Sequence, residues 1–382
     1  MQRASGASTV TSARRRLLFG TLFALTVLVP GKSATAAEGV PAKRPHFLAP
    51  KEILERMKDS PVHYEIVAGS TQKVPVSEFG AVLWPAARPR IDRPVVEKDA
   101  SGKPSVHAFS IGRKAADALE RAEKLFGWRR YAEAAEGYER AVVLEPTCYV
   151  CLMHWGDCAL FENDAAKAVT LYERAIALNP NEYQAFFFKG DALYKLRRFM
   201  EARTAYVEAL LLRPSHQVLV EHLLHLTQQL QATVHDEPLQ PQAMAKTDGA
   251  GVRVAGDAES IHWMAYALCK ALWLGEPSHR EEMSGSREKR WSVLEERECL
   301  ANLYATYSSN RTDGKVKREP ALDRLADAFQ AGFIDEFILY EIAPRIDPHI
   351  TLVLEDSEKA RVREYIQRFV LVPWPAMSES HD

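Results

Sequence analysis

The side chains best suited to chemistry cluster at Cys148, Cys151, His154 and Cys158. Cys148 and Cys151 form a C-x-x-C at the start of a predicted helix, where the helix N-terminus lowers a thiol's pKa and favours redox exchange. The pair lacks the βαβ surroundings of a thioredoxin-like site, and Leu152 rather than histidine follows it, which argues against covalent haem attachment. It therefore reads as structural, either plain thiols or a local disulfide. As zinc ligands the four fail on distance. Cys151 and Cys158 lie seven residues apart on one helix, roughly 10 Å along its axis, whereas zinc–sulfur bonds are near ~2.3 Å.

Other candidates are weaker still. His222 and His225 flank no H-E-x-x-H arrangement and read as surface polar residues. His262, Cys269, Asp335, Glu336 and His349 could be drawn together on paper, but nothing in their spacing licenses it. No G-x-S-x-G, P-loop or glycine-rich dinucleotide turn is present. The expectation is a non-enzymatic chain with no cofactor and no catalytic or metal-binding residues. A catalytic C-terminal region served by an adaptor is the alternative.

The elements that would position any site are set by a 34-residue period between residues 115 and 214. Three copies end alike: YERAVVLEP at 138–146, YERAIALNP at 172–180 and YVEALLLRP at 206–214. A fixed period of this length means stacked supersecondary units, each burying its apolar face on the next. In the second unit, helix A is expected over 149–162 and helix B over 166–179, joined at Asn163–Asp164. Small residues recur in helix A (Ala122, Gly156, Gly190) and in helix B (Ala134, Ala168, Ala202), where two helices must cross closely. Leu125, Leu152, Trp155, Phe186 and Leu193 fill the space around the crossing, and Tyr138, Tyr172 and Tyr206 pack over it. Pro146, Pro180 and Pro214 end each helix B, since proline cannot donate the next hydrogen bond.

These columns resemble the tetratricopeptide repeat (TPR) family over about 100 of 382 residues. Two copies depart from the pattern: Ala118 replaces a large residue in the first, and Arg121 in the first and Lys189 in the third stand where the second copy has Trp155. The resemblance implies an all-α, right-handed superhelix whose A helices line a concave groove that binds a protein or peptide. At 100° per residue, the face next to the core stripe carries Leu119, Glu123 and Phe126 in the first repeat. The second presents Met153, Asp157 and Leu160, and the third Phe187, Asp191 and Tyr194. An acid stands mid-row each time, so a basic and apolar segment is the expected partner. The TPR subclass that clamps a C-terminal carboxylate has Lys and Asn on this face, which this chain lacks.

The remaining chain divides by composition. Residues 1–36 read as a signal peptide: Arg14, Arg15 and Arg16 precede an apolar run at 17–30, and Ala34-Thr35-Ala36 supplies the cleavage pattern. The arginines loosely resemble a twin-arginine signal. Export to the periplasm or beyond is expected, with an uncleaved membrane anchor as the alternative. Loss of this segment removes five basic groups and no acid, leaving 44 basic against 51 acidic residues. An acidic balance argues against nucleic-acid binding, and no later stretch is apolar enough to span a membrane. Residues 37–114 read as a proline-rich, partly extended arm, with one helix at 50–58 and extended runs at 62–67 and 81–84. Residues 217–234 read as a capping helix closing a 115–234 repeat domain, 235–256 as a flexible linker, 257–372 as a smaller helical domain and 373–382 as a tail. The favoured function is an exported scaffold or adaptor. A structural subunit of an envelope assembly, with the arm wrapped on a neighbour, is a third reading.

Overall fold

The computed structural model describes residues 46–68, 82–257 and 260–375, all within one compact unit. The expected signal segment lies outside them. The architecture is all-α with three small sheets.

Three helical hairpins follow the period. They are α2 (Arg113–Gly127) with α3 (Tyr131–Leu144), α4 (Tyr149–Phe161) with α5 (Ala165–Leu178), and α6 (Tyr183–Lys195) with α7 (Phe199–Leu212). Each A helix stops on a left-handed residue at the same place in the period: Arg129, Asn163 and Arg197, with φ of 59°, 64° and 60°. The next backbone N–H then reaches back to a carbonyl five residues earlier (Arg130 to Leu125, Asp164 to Ala159, Arg198 to Leu193). This closes the helix C-terminus without exposing its carbonyls. Helix B restarts with Asp164 accepting from Lys167 N–H at 3.0 Å in the second repeat.

The small columns do what close crossing requires. Ala134, Ala168 and Ala202 are fully buried. A Cβ on Gly156 would lie 2.7 Å from the Tyr172 ring, and one on Gly190 would lie 2.4 Å from Tyr206. In the first repeat the roles swap: helix A carries Ala122, and helix B opposes it with Gly137, whose Cβ would sit 2.8 Å away. One partner at each crossing must lack a side chain.

The capping helix α8 (Gln217–Leu230) packs on α7 and is shorter than expected. Gln231 turns left-handed at φ 47°, and residues 232–234 leave as β4 (Ala232–Val234). Strand β7 (Leu371–Pro373) pairs with β4, so residue 373 belongs to a sheet rather than a tail. The expected linker at 235–256 also needs correction. It contains the hairpin β5 (Ala243–Asp248) and β6 (Gly251–Gly256), turning at Gly249 with φ 57°. Ala243, Ala245, Val252 and Val254 are buried. The strand period of two was present but obscured by small residues and flanking prolines.

The arm is not an independent extension. Its helix α1 (Pro50–Lys58) buries Ile53 and Met57 against α9 (Ile261–Gly275), and β1 (Tyr64–Ala68) pairs in parallel with β6. Residues 82–83 are helical rather than extended. The C-terminal region adds α10 (Pro277–Ser284), α11 (Val293–Thr312), α12 (Pro320–Gln330), α13 (Ile334–Phe337) and α14 (Asp356–Tyr365). The last two continue into π-helical turns at Ile338–Ile342 and Ile366–Val370. Disulfides join Cys148 to Cys151, at 2.04 Å, and Cys269 on α9 to Cys299 on α11.

Gly190→Ala should destabilise the chain by about 1–3 kcal/mol through overpacking against Tyr206. Gly127→Ala, where an added Cβ meets nothing within 4 Å, should leave stability unchanged or raise it by up to about 1 kcal/mol. Urea denaturation followed by circular dichroism compares them; equal effects would refute the crossing constraint.

Candidate partner-binding groove

The three acids share one row. Tyr172 donates to Asp157 Oδ1 at 2.7 Å, and Tyr206 to Asp191 Oδ1 at 2.7 Å. Each tyrosine lies on helix B, 15 residues after its acid. Burial first raises the Tyr138 and Tyr172 hydroxyls; Cys158, Glu123 and Asp157 add to this at Tyr138, and Asp157 and Asp191 at Tyr172. The tyrosines thus alternate with the acids along the stack. Burial first, and the neighbouring carboxylates second, push the Tyr172 and Tyr206 hydroxyls above the ordinary phenol range, so both remain protonated donors.

Two histidines complete the row. His154 Nδ1 sits 3.0 Å from Asp157 Oδ2, and His222 Nε2 on the capping helix sits 2.8 Å from Asp191 Oδ1. Asp157 therefore has partners on both oxygens, and its side chain is 13% exposed. Asp157 and Asp191 thus join helix A to helix B within their own hairpins. Sequence reasoning treated Tyr138, Tyr172 and Tyr206 as packing groups and His222 as a surface residue. The constant acid-to-tyrosine interval was the signal that could have revealed the bonded pairs.

The flanking residues separate into two kinds. Leu119 and Met153 are buried in the shared core rather than exposed, because the stack closes over the early part of the A helices. Phe126, Leu160, Phe187 and Tyr194 are half-buried. Phe126 lies 5.3 Å from Tyr131 and 5.6 Å from Phe161, a ring that is itself 56% exposed. Tyr194 lies 5.4 Å from Phe199, and Phe187 meets His222 edge-on at 5.1 Å. The surviving surface is an aromatic margin beside an acid row, ended by α8.

The arm borders this surface. Its hairpin, β2 (Pro94–Lys98) and β3 (Pro104–Ala108), lies where the B helices end and the next A helices begin. The Pro94 carbonyl accepts from Asn179 Nδ2 at 2.9 Å, the Phe109 ring meets Tyr149 at 4.7 Å, and Gly112 N–H donates to Glu145 at 2.6 Å. Arg93 comes within 3.9 Å of Glu123, so the first acid already has a partial counter-ion from the chain itself.

The chemistry weighed in the sequence is absorbed by structure. Cys148 and Cys151 are bonded, and burial pushes the Cys158 thiol up to about 12, which keeps it protonated. His262 pairs with Glu319 at 2.8 Å, Asp335 with Arg297, Glu336 with Arg361, and His349 accepts from Ile91 N–H, so these groups serve separate contacts. Among the described residues no cluster is arranged to hold a metal, and no helix is long and apolar enough to cross a membrane.

Residues 183–216, which span α6 and α7, match the tetratricopeptide repeat family. Among solved structures, the chain is similar to the first TPR of Spaghetti (RPAP3) bound to the HSP90 peptide SRMEEVD. That likeness has 25% identity, covers 31% of this chain and 96% of that one, and has a TM-score of 0.30. It is similar to the second TPR domain of human RPAP3 in complex with an HSP70 peptide (23% identity, 30% and 94% covered, TM-score 0.29). It is also similar to the Yersinia enterocolitica type III secretion chaperone SycD in complex with a peptide of the translocator YopD (15% identity, 31% and 91% covered, TM-score 0.29). Among curated proteins none matches the chain.

Proposed function

We propose that this chain, one of whose three helical hairpins matches the tetratricopeptide repeat family, is an exported, non-enzymatic adaptor that takes a basic and apolar protein segment along its A helices. The observation that carries this reading is the row of in-register acids bordered by half-exposed rings. Rings set in a rigid margin supply most of the affinity in such sites, whereas rim charges mainly steer and select. The segment would lie between the β2–β3 hairpin and α8, over Glu123, Asp157 and Asp191, against Phe126, Leu160, Phe187 and Tyr194. Glu123, whose side chain is 45% exposed, and Asp191, 24% exposed, are the acids best placed to meet a basic side chain.

Export is supported by the disulfides Cys148–Cys151 and Cys269–Cys299, since such bonds persist in oxidising compartments and are rare in the cytosol. If residues 1–36 are removed, N-terminal sequencing of the protein from its host will start at Ala37. A start at Met1 on membrane-held protein would favour the anchor instead.

Panning the mature chain against a random peptide display library should enrich Lys or Arg beside aromatic or aliphatic residues. The double variant Asp157→Asn/Asp191→Asn keeps an acceptor for each tyrosine but removes the charge. It should weaken the selected peptides by about 5- to 20-fold without altering the circular dichroism spectrum. Enrichment of acidic peptides, or unchanged affinity in the double variant, would refute the groove reading.

A further inference from the structure

A cavity lies away from the repeats. Strand β5, α9, Arg280 of α10, the loop before α11 and residues 82–85 surround its volume of about 440 Å³. Its size is that of a small-molecule pocket.

Three indoles form much of its wall. Trp84 and Trp273 are buried and Trp291 is half-buried. Each ring is pinned through its N–H: Trp84 to the Tyr266 hydroxyl at 3.1 Å, Trp273 to Glu298 at 2.7 Å, and Trp291 to Glu296 at 2.7 Å. Anchored rings offer preformed apolar faces at little entropic cost.

The floor is an ion cluster. The Lys270 ammonium, 3% exposed, bonds both Glu295 and Glu296. Burial opposes its charge, but the two carboxylates more than offset this and raise its pKa above the ordinary lysine value. Glu296 also accepts from Tyr266 and Trp291 and is fully engaged. Lys270 has three donors, of which two are used. Glu295 bonds Lys270 through Oε1 alone. Both Lys270 and Glu295 line the cavity, so the floor offers one spare donor beside one spare acceptor. A hydroxyl group, which donates and accepts at once, satisfies both.

The mouth is cationic. Lys246, Lys289 and Arg290 are exposed there, above Arg280, whose guanidinium is fixed by the carbonyls of Trp273 and Arg287. Among the described residues these four cations line the cavity with no further acid, since Lys270 is already paired with Glu295 and Glu296. That imbalance concentrates anions at the entrance.

We propose that this cavity binds a small anionic, hydroxylated ligand of the uronate or sugar-phosphate class. Its apolar faces lie against the indoles, one hydroxyl meets Lys270 and Glu295, and its acidic group meets Lys289 and Arg290. A bare inorganic anion would leave the indole wall unused, and a neutral sugar would leave the cationic mouth unused.

The test is calorimetry, with intrinsic tryptophan fluorescence in parallel, on the full mature chain. The probes are glucuronate and glucose 6-phosphate, compared with glucose and inorganic phosphate. At least one anionic sugar should bind saturably and about tenfold more tightly than glucose or phosphate. The double variant Lys289→Glu/Arg290→Glu changes only exposed side chains, so its thermal midpoint should hold while that binding weakens by about tenfold or more. Absence of saturable binding to both anionic sugars, phosphate binding as tightly as either, or undiminished affinity in the variant would each overturn the proposal.

Discussion

The repeat region depends on one steric constraint: at each hairpin crossing, one helix must present bare backbone. Gly156 and Gly190 leave room for the rings of Tyr172 and Tyr206 to lie directly on helix A. Only from that position do the tyrosine hydroxyls reach Asp157 and Asp191. The acids are consequently fixed at the same height in successive repeats. The proposed recognition surface is thus a by-product of packing, since the residues that align the charges are those that let the helices nest.

The second half of the molecule is organised by buried carboxylates rather than by small residues. Glu298, fully buried on α11, accepts from Trp273 and His279 and from the backbone N–H of Leu48 in the arm. Glu276 accepts from Tyr64 at 2.7 Å, and Trp84 reaches the Tyr266 hydroxyl that in turn bonds Glu296. Breaking one member of such a network leaves an uncompensated buried charge, so the leading arm is bound into the body. The same network holds the indole walls and the Lys270 floor of the cavity.

What the sequence revealed follows from where its signals were local. Helix ends in the repeats agree to within one residue in the second hairpin, because the period, the Asn163 turn and the terminal prolines act over a few residues. Helical geometry put Asp157 and Asp191 at equivalent positions of successive A helices, where each meets its tyrosine. That they are bonded required pairing Asp157 with Tyr172 across two helices, a contact which no single-helix projection shows. Burial of Leu119 and Met153 depends on how neighbouring repeats close over each other, and this too is invisible along one helix. In the C-terminal half, β1 pairs with β6 across nearly 190 residues of sequence, as Tyr64 with Val252. With such long-range pairing and no repeat to expose it, the β5–β6 strands read as a linker, and the wall of the cavity stayed hidden among scattered tryptophans.

The central claim is that Asp157 and Asp191 are each seated by the tyrosine of their own hairpin. A double-mutant cycle on urea denaturation, with Tyr172→Phe and Asp157→Leu singly and together, measures that coupling directly. The bond joins a buried hydroxyl to a largely buried carboxylate, so the account predicts a coupling of about 1–3 kcal/mol. Strictly additive single effects would show that Asp157 and Tyr172 do not support one another, and the row of acids would lose its structural cause.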